Sequence, residues 1–166
     1  MKRIYSVLVE NHAGVLSKVA GLFWRRCFNI ESLAVGETDD PGVSNMIIVS
    51  SGDGHILEQI EKQLNKKVDV IKVKTFDESE AVSRELMLVK IRYSRSTRRD
   101  IVENCQLMGA SIIDISESMM TLQICDTPER VRIFLKMMQN NRIVEITRTG
   151  TLALTKCTET SVPANG

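Results

Sequence analysis

Apolar positions along the chain alternate between two spacings. Residues 3–9 are apolar and β-branched, too continuous for a strand with one bare polar face. From Gly14 the spacing lengthens, and Val15, Leu16, Val19, Ala20, Leu22 and Phe23 recur as one face of a helix. Residues 28–38 read as a strand closed by the turn signal Asp39-Asp40-Pro41-Gly42. Residues 43–51 give the next strand, with Val43, Ile47 and Val49 on one side and Met46 and Ile48 on the other. Asp53 is placed to cap a helix whose apolar face is Ile56, Leu57, Ile60 and Leu64. Residues 68–76 supply a fourth strand. The order β-α-β-β-α-β is the ferredoxin-like arrangement.

The polar run Asp77-Glu78-Ser79-Glu80 breaks the pattern, so a linker is placed at 77–84. The same order then repeats. Residues 85–93 form a strand, and Ile101, Val102, Cys105 and Met108 mark a helix. Residues 111–115 and 119–125 form a hairpin across Ser116-Glu117-Ser118. Thr127-Pro128-Glu129 starts a helix that buries Val131, Phe134, Leu135 and Met138, and residues 142–147 close the set. The expected class is α+β, with two ferredoxin-like domains in tandem at 1–76 and 85–154. A flexible tail is expected at 155–166. Val, Ile and Met on both sides of the strands predict that the sheet face opposite the helices is covered, by the other half or by a second subunit.

Composition narrows the function without naming it. A chain of 166 residues, 43% hydrophobic and 26% charged, has an ordinary globular make-up. Its net charge of +1 gives no electrostatic case for a nucleic-acid partner. Aromatics are 4% of residues, and Tyr5 alone is a weak platform for stacking bases. Arg95, Arg98 and Arg99 lie beside Asp100 and Glu103 and read as a solvated helix face. No membrane span and no signal-peptide pattern are expected, and a cytoplasmic location follows. Cys27, Cys105, Cys125 and Cys157 form no Cys-x-x-Cys pair, and His12 and His55 are the only histidines. Neither a metal site nor a disulfide framework is predicted.

Catalytic chemistry is poorly provided for, because a hydrolytic triad needs a histidine placed to take a proton. The turn after the first strand is better suited to binding. It holds an amide, Asn11, a glycine, Gly14, and the open N–H groups of a helix start. Such a start attracts a carboxylate. A second amide, Asn29, opens the next strand. Together these groups fit a zwitterion, with N–H groups for its carboxylate and amide oxygens for its ammonium. An amino-acid-sensing loop is the reading. A stand-alone sensor and a small ferredoxin-like hydrolase are the alternatives, the latter lacking an acid, base or phosphate-binding arginine in this turn.

The segments Val9-Glu10-Asn11-His12-Ala13-Gly14-Val15-Leu16, Arg26-Cys27-Phe28-Asn29-Ile30-Glu31-Ser32-Leu33 and Thr38-Asp39-Asp40-Pro41 closely resemble the regulatory small subunit of acetolactate synthase. Residues 57–66, 84–90 and 112–114 match it too. The resemblance implies an ACT domain at 1–76, forming a homodimer and binding an amino-acid effector, and a second domain that activates a catalytic large subunit. It implies a chain that is not catalytic and holds no cofactor, with thiamine diphosphate, Mg and FAD expected on the large subunit. It also implies feedback inhibition by valine in branched-chain amino-acid synthesis. By matching positions, Asn11 and Gly14 come from one subunit and Asn29 from its partner, with Ala13, Val15, Leu16 and Ile30 nearby. Cys27 stands where a glycine is expected before the aromatic, and His12 occupies a variable place.

Overall fold

Alternation in the first strand sends Tyr5, Val7 and Val9 to one face of a sheet and Ile4 to the other. In the computed structural model, which describes residues 1–157, this strand is β1 (Lys2–Glu10). Helix α1 (Val15–Arg25), β2 (Ser32–Glu37), β3 (Val43–Ser51), α2 (Gly54–Leu64) and β4 (Val70–Phe76) follow. The sheet order is β2-β3-β1-β4, with each neighbouring pair antiparallel. Helix α2 packs over β1 and β4, and α1 lies beside it. Between helices and sheet, Val15, Val19, Leu22 and Phe23 of α1 meet Leu57, Ile60 and Leu64 of α2. The Tyr5 hydroxyl is taken up by donating to Leu57 O at 2.9 Å. Burial pushes this phenol up to about 12, helped by the nearby Glu61 charge and opposed by Arg3. With no exposed surface, its ring offers no platform for a base.

A 3-10 turn (Glu78–Glu80) leads into β5 (Ala81–Arg92). Helix α3 (Arg98–Met108), β6 (Ser111–Ile115), β7 (Met119–Asp126), α4 (Pro128–Met138) and β8 (Arg142–Arg148) complete a second sheet of order β6-β7-β5-β8. The second order repeats the first strand for strand. Here Met87, Val89, Ile91, Met120, Leu122 and Ile124 face Ile101, Cys105, Val131 and Phe134. Thr127 caps α4 through Arg130 N, and Asp53 caps α2 through Ile56 N at 2.8 Å. Arg99 and Glu103 pair at 2.8 Å on a solvated face, as the sequence indicates.

Several boundaries differ from expectation. Residues 81–84, assigned to a linker, begin β5, because Ala81 is 93% buried and pulls the strand start inward. A further strand, β9 (Leu152–Thr155), pairs with β5. Lys156 N donates to Glu80 O at 2.9 Å, so residues 155 and 156 are held rather than loose. The rest of the proposed tail, 158–166, lies outside the described residues. The chain divides into two units, 83–152 and 1–82 together with the described residues from 153 onward.

The face of the first sheet opposite its helices is covered from within its own unit. Ile4, Ile47, Val49 and Phe76 pack with Ala81 and Ala153. The second sheet's corresponding face is not uniformly apolar, contrary to the expectation for both halves. Leu88, Lys90, Asp114, Thr121, Glu145 and Thr147 line a shallow depression of about 270 Å³ on it. Lys90 pairs with Glu145 there at 2.9 Å. The apolar residues of these strands are spent on the helix side, and alternation leaves polar ones outward.

Candidate functional site

Strand β1 ends at Glu10, and the chain turns through Asn11, His12, Ala13 and Gly14 into α1. Asn11 N donates to Gly42 O at 2.8 Å, which fixes the turn against the start of β3. The Asn11 Nδ2 group donates to Glu37 Oε1 at 3.1 Å and to Pro41 O at 2.9 Å. Both partners only accept, so the amide is oriented by them and its Oδ1 is left as an acceptor at the surface. Gly14 occupies the N-cap position with φ 91, and no side chain caps the helix. A left-handed φ favours glycine; Val15 N donates to His12 O at 3.4 Å, and a cap without a side chain leaves the next N–H groups, of Leu16 and Ser17, facing outward at the helix start.

The other expected site residues divide between this turn and the far end of the sheet. Ala13 and Leu16 are exposed beside the turn. Val15 is only 2% exposed and belongs to the core, so its main chain alone borders the turn. Leu16, predicted on the buried face of α1, is 44% exposed. The buried set 15, 19, 22 and 23 fixes the inward direction, and position 16 lies about 100° from position 15.

Asn29 and Ile30 were expected to begin a strand, yet β2 starts only at Ser32. Phe28 instead turns in to meet Phe23 edge-on, with ring centroids 6.2 Å apart. Asn29 O accepts from Ser50 Oγ at 2.6 Å, leaving the Asn29 side chain exposed and Ile30 half-buried. Asn11 thus sits at the Val43 end of β3 and Asn29 at the Ser50 end. At about 3.3 Å per residue these ends are roughly 23 Å apart. Within one chain the two amides are not brought together.

Cys27 has φ 54, the left-handed region, and it is exposed. That explains physically why glycine is expected at this position. A β-carbon there costs about 1–2 kcal/mol. Cys27→Gly is therefore expected to raise the unfolding free energy by about 1 kcal/mol, read as a higher urea midpoint at unchanged slope.

Sequence spacing missed a cluster beside the turn. Asp69, immediately before β4, receives Lys18 Nζ at 2.9 Å on each carboxylate oxygen and lies 3.2 Å from His12 Nε2. The Lys18 hydrogen bond holds the Asp69 carboxyl below the usual carboxylate range, against burial and with help from His12. No local motif could signal this, because the contact depends on β1 pairing with β4. His55 is exposed on the first turn of α2. Among the described residues, no helix is long and apolar enough to cross a membrane.

Residues 5–72 match the family described as AHAS small subunit-like ACT domain, and residues 84–157 match that described as small subunit of acetolactate synthase. The chain is 45% identical to the acetolactate synthase isozyme 3 small subunit of Escherichia coli K12, over 94% of this chain and 96% of that one. It is 42% identical to the probable acetolactate synthase small subunit of Methanothermobacter thermautotrophicus, over 95% and 94%. The crystal structure of the acetolactate synthase small subunit from Thermotoga maritima superposes with a TM-score of 0.88 at 36% identity, covering 95% of this chain and 99% of that one. With both halves matched and nearly the whole length aligned, the chain belongs to the acetolactate synthase small-subunit family, its first unit being an ACT domain.

Proposed function

We infer that this chain is a non-catalytic regulatory subunit. It activates the catalytic large subunit of acetolactate synthase and makes that enzyme answer to valine. The observation that carries the reading is the division of the amide set. An open helix start with Asn11 Oδ1 lies at one end of the sheet, and Asn29 lies exposed at the other. A two-fold axis perpendicular to α1, which sets the two copies of that helix antiparallel, would bring one chain's turn against its partner's Asn29 and complete a zwitterion site at the seam.

The first sheet has one edge suited to such pairing. Strand β4 carries exposed Lys72 and Lys74, which discourage strand addition. Strand β2 has neither lysine nor proline, and its Val35 is 47% exposed. On α1, Leu16 and Trp24 lie two turns apart on one outward side, Trp24 at 81% exposure. A second copy burying these groups would bring about 1.5–3 kcal/mol per large side chain. Valine itself needs little: open N–H groups, charge-assisted hydrogen bonds of about 1.5–3 kcal/mol each and burial of its isopropyl group reach sub-millimolar affinity. Thiamine diphosphate, Mg and FAD are assigned to the catalytic chain.

For the catalytic partner, the second unit offers an apolar edge. Ile112, Ile113 and Ile115 of edge strand β6 are 37%, 49% and 50% exposed. Ile113→Lys with Ile115→Lys is expected to raise the concentration needed for half-maximal activation at least tenfold while valine binding is unchanged. Wild-type activation by that variant would remove β6 from the contact.

The deciding experiment is acetolactate formation by the large subunit, with and without this chain, across a valine titration. Stimulation reversed by valine is the expected result. Stimulation without a valine response would keep the partner and discard the effector. No stimulation by a folded cognate pair would favour the alternative, an ACT-type sensor acting on another protein.

A further inference from the structure

Three ligating side chains converge where β1 enters the turn and β4 begins. His12 Nε2 is 3.2 Å from Asp69 Oδ1 and 3.3 Å from Glu10 Oε2. One ligand atom from each residue lies within 4.8 Å of the other two. His12 Nδ1 is 3.1 Å from Ala13 O. A carbonyl oxygen only accepts, so the proton of a neutral ring is on Nδ1, and Nε2 then presents its lone pair to both carboxylates. Three acceptors facing one point repel one another unless a positive charge lies among them. The Lys18 ammonium, 2.9 Å from each Asp69 oxygen, supplies one such charge from the side, and a cation at the point itself would supply another.

We propose that Glu10, His12 and Asp69 form a three-ligand site for a divalent transition cation, with a fourth position open to water. Tetrahedral bonds of about 2.0–2.2 Å to nitrogen and oxygen place neighbouring ligand atoms roughly 3.3–3.6 Å apart. The two histidine–carboxylate separations need contract or expand by only a few tenths of an ångström to meet that geometry. The link from Nδ1 to a backbone carbonyl is the outer support that metal-bound imidazoles use to hold tautomer and ring orientation. Imidazole with two carboxylates suits zinc and its divalent first-row neighbours. Glu10 and His12 have half-open side chains, at 57% and 46% exposure, so an ion enters directly from solvent.

Lys18 is the resident competitor. Its ammonium touches both Asp69 oxygens, so it must release Oδ1 when the ion arrives while keeping Oδ2. An ion in this place joins His12, inside the turn, to Asp69 at the head of β4. The proposal stands on this geometry and is independent of whether valine is the effector.

The test is zinc binding by the full-length chain, competed against a chromophoric chelator at neutral pH. Cys27, Cys125 and Cys157 are exposed thiols that would compete for zinc, so the measurement is made with all three changed to serine. Micromolar binding of one zinc per chain is expected. His12→Gln is expected to weaken it at least tenfold, and Lys18→Met to tighten it several-fold by removing the competing ammonium. Circular dichroism verifies that each variant is folded. A dissociation constant above about a millimolar, zinc affinity unchanged by His12→Gln, or no gain from Lys18→Met would each overturn the site.

Discussion

Replacing Gly14 with aspartate is expected to abolish valine inhibition while activation of the catalytic chain survives. The new carboxylate would stand at the open start of α1, where the effector's carboxylate is proposed to bind. Two unit charges about 4 Å apart near a protein surface repel by roughly 4 kcal/mol, a loss of about a thousandfold in affinity. Gly14 has φ 91, so any side chain adds backbone strain of about 1–2 kcal/mol, although a Cβ there has open space around it. Gly14→Ala carries the strain without the charge and separates the two effects. Alanine should shift the valine response modestly and aspartate should erase it, both read from acetolactate formation. Wild-type valine sensitivity in Gly14→Asp would remove the turn from the effector site.

The largest expected stability effect lies in the second unit. Glu85 is one of three buried polar or charged residues among those described, at 3% exposure, and Arg148 holds it with two parallel N–H donors. Arg148→Met strands a buried carboxylate, and the expected cost is about 3 kcal/mol, since removing one partner leaves the other's desolvation uncompensated. The figure sits at the low end of the usual range because Arg148 is itself 39% exposed. Adding Glu85→Leu should recover most of the loss, because an apolar pair of similar volume needs no compensation. Denaturant unfolding, followed by a probe confined to the second unit, measures both. A cost below about 1 kcal/mol for Arg148→Met would show that water reaches Glu85.

Local periodicity made most of the architecture legible. The helix faces of Leu57, Ile60 and Leu64 and of Val131, Phe134 and Met138 follow directly from spacing, as do the two sides of β3. The failures have specific physical causes. Phe28 and Ile30 are strand-forming residues, but the left-handed Cys27 and the Phe28–Phe23 contact draw Phe28 toward α1 and delay β2 to Ser32. Strand β9 is short and flanked by polar residues, and its only local signal is a pair of leucines around Ala153. The Asn11 turn was visible because its residues are adjacent in sequence. Asp69 beside His12 was not, because 57 residues separate them and only tertiary pairing brings them together.

The return of residues 153–157 to the first unit sets an order of events during synthesis. The helix-covered side of the first sheet can close once α2 and β4 have emerged from the ribosome. Its other side, with Ile4, Ile47, Val49 and Phe76, must wait for Ala153. Residues 83–152 are made in between, which at about 5–20 residues per second takes roughly 4–14 s. Throughout that interval the nascent ACT domain presents an uncovered apolar surface, and its time of greatest exposure to chaperones and to neighbouring nascent chains is fixed by translation speed.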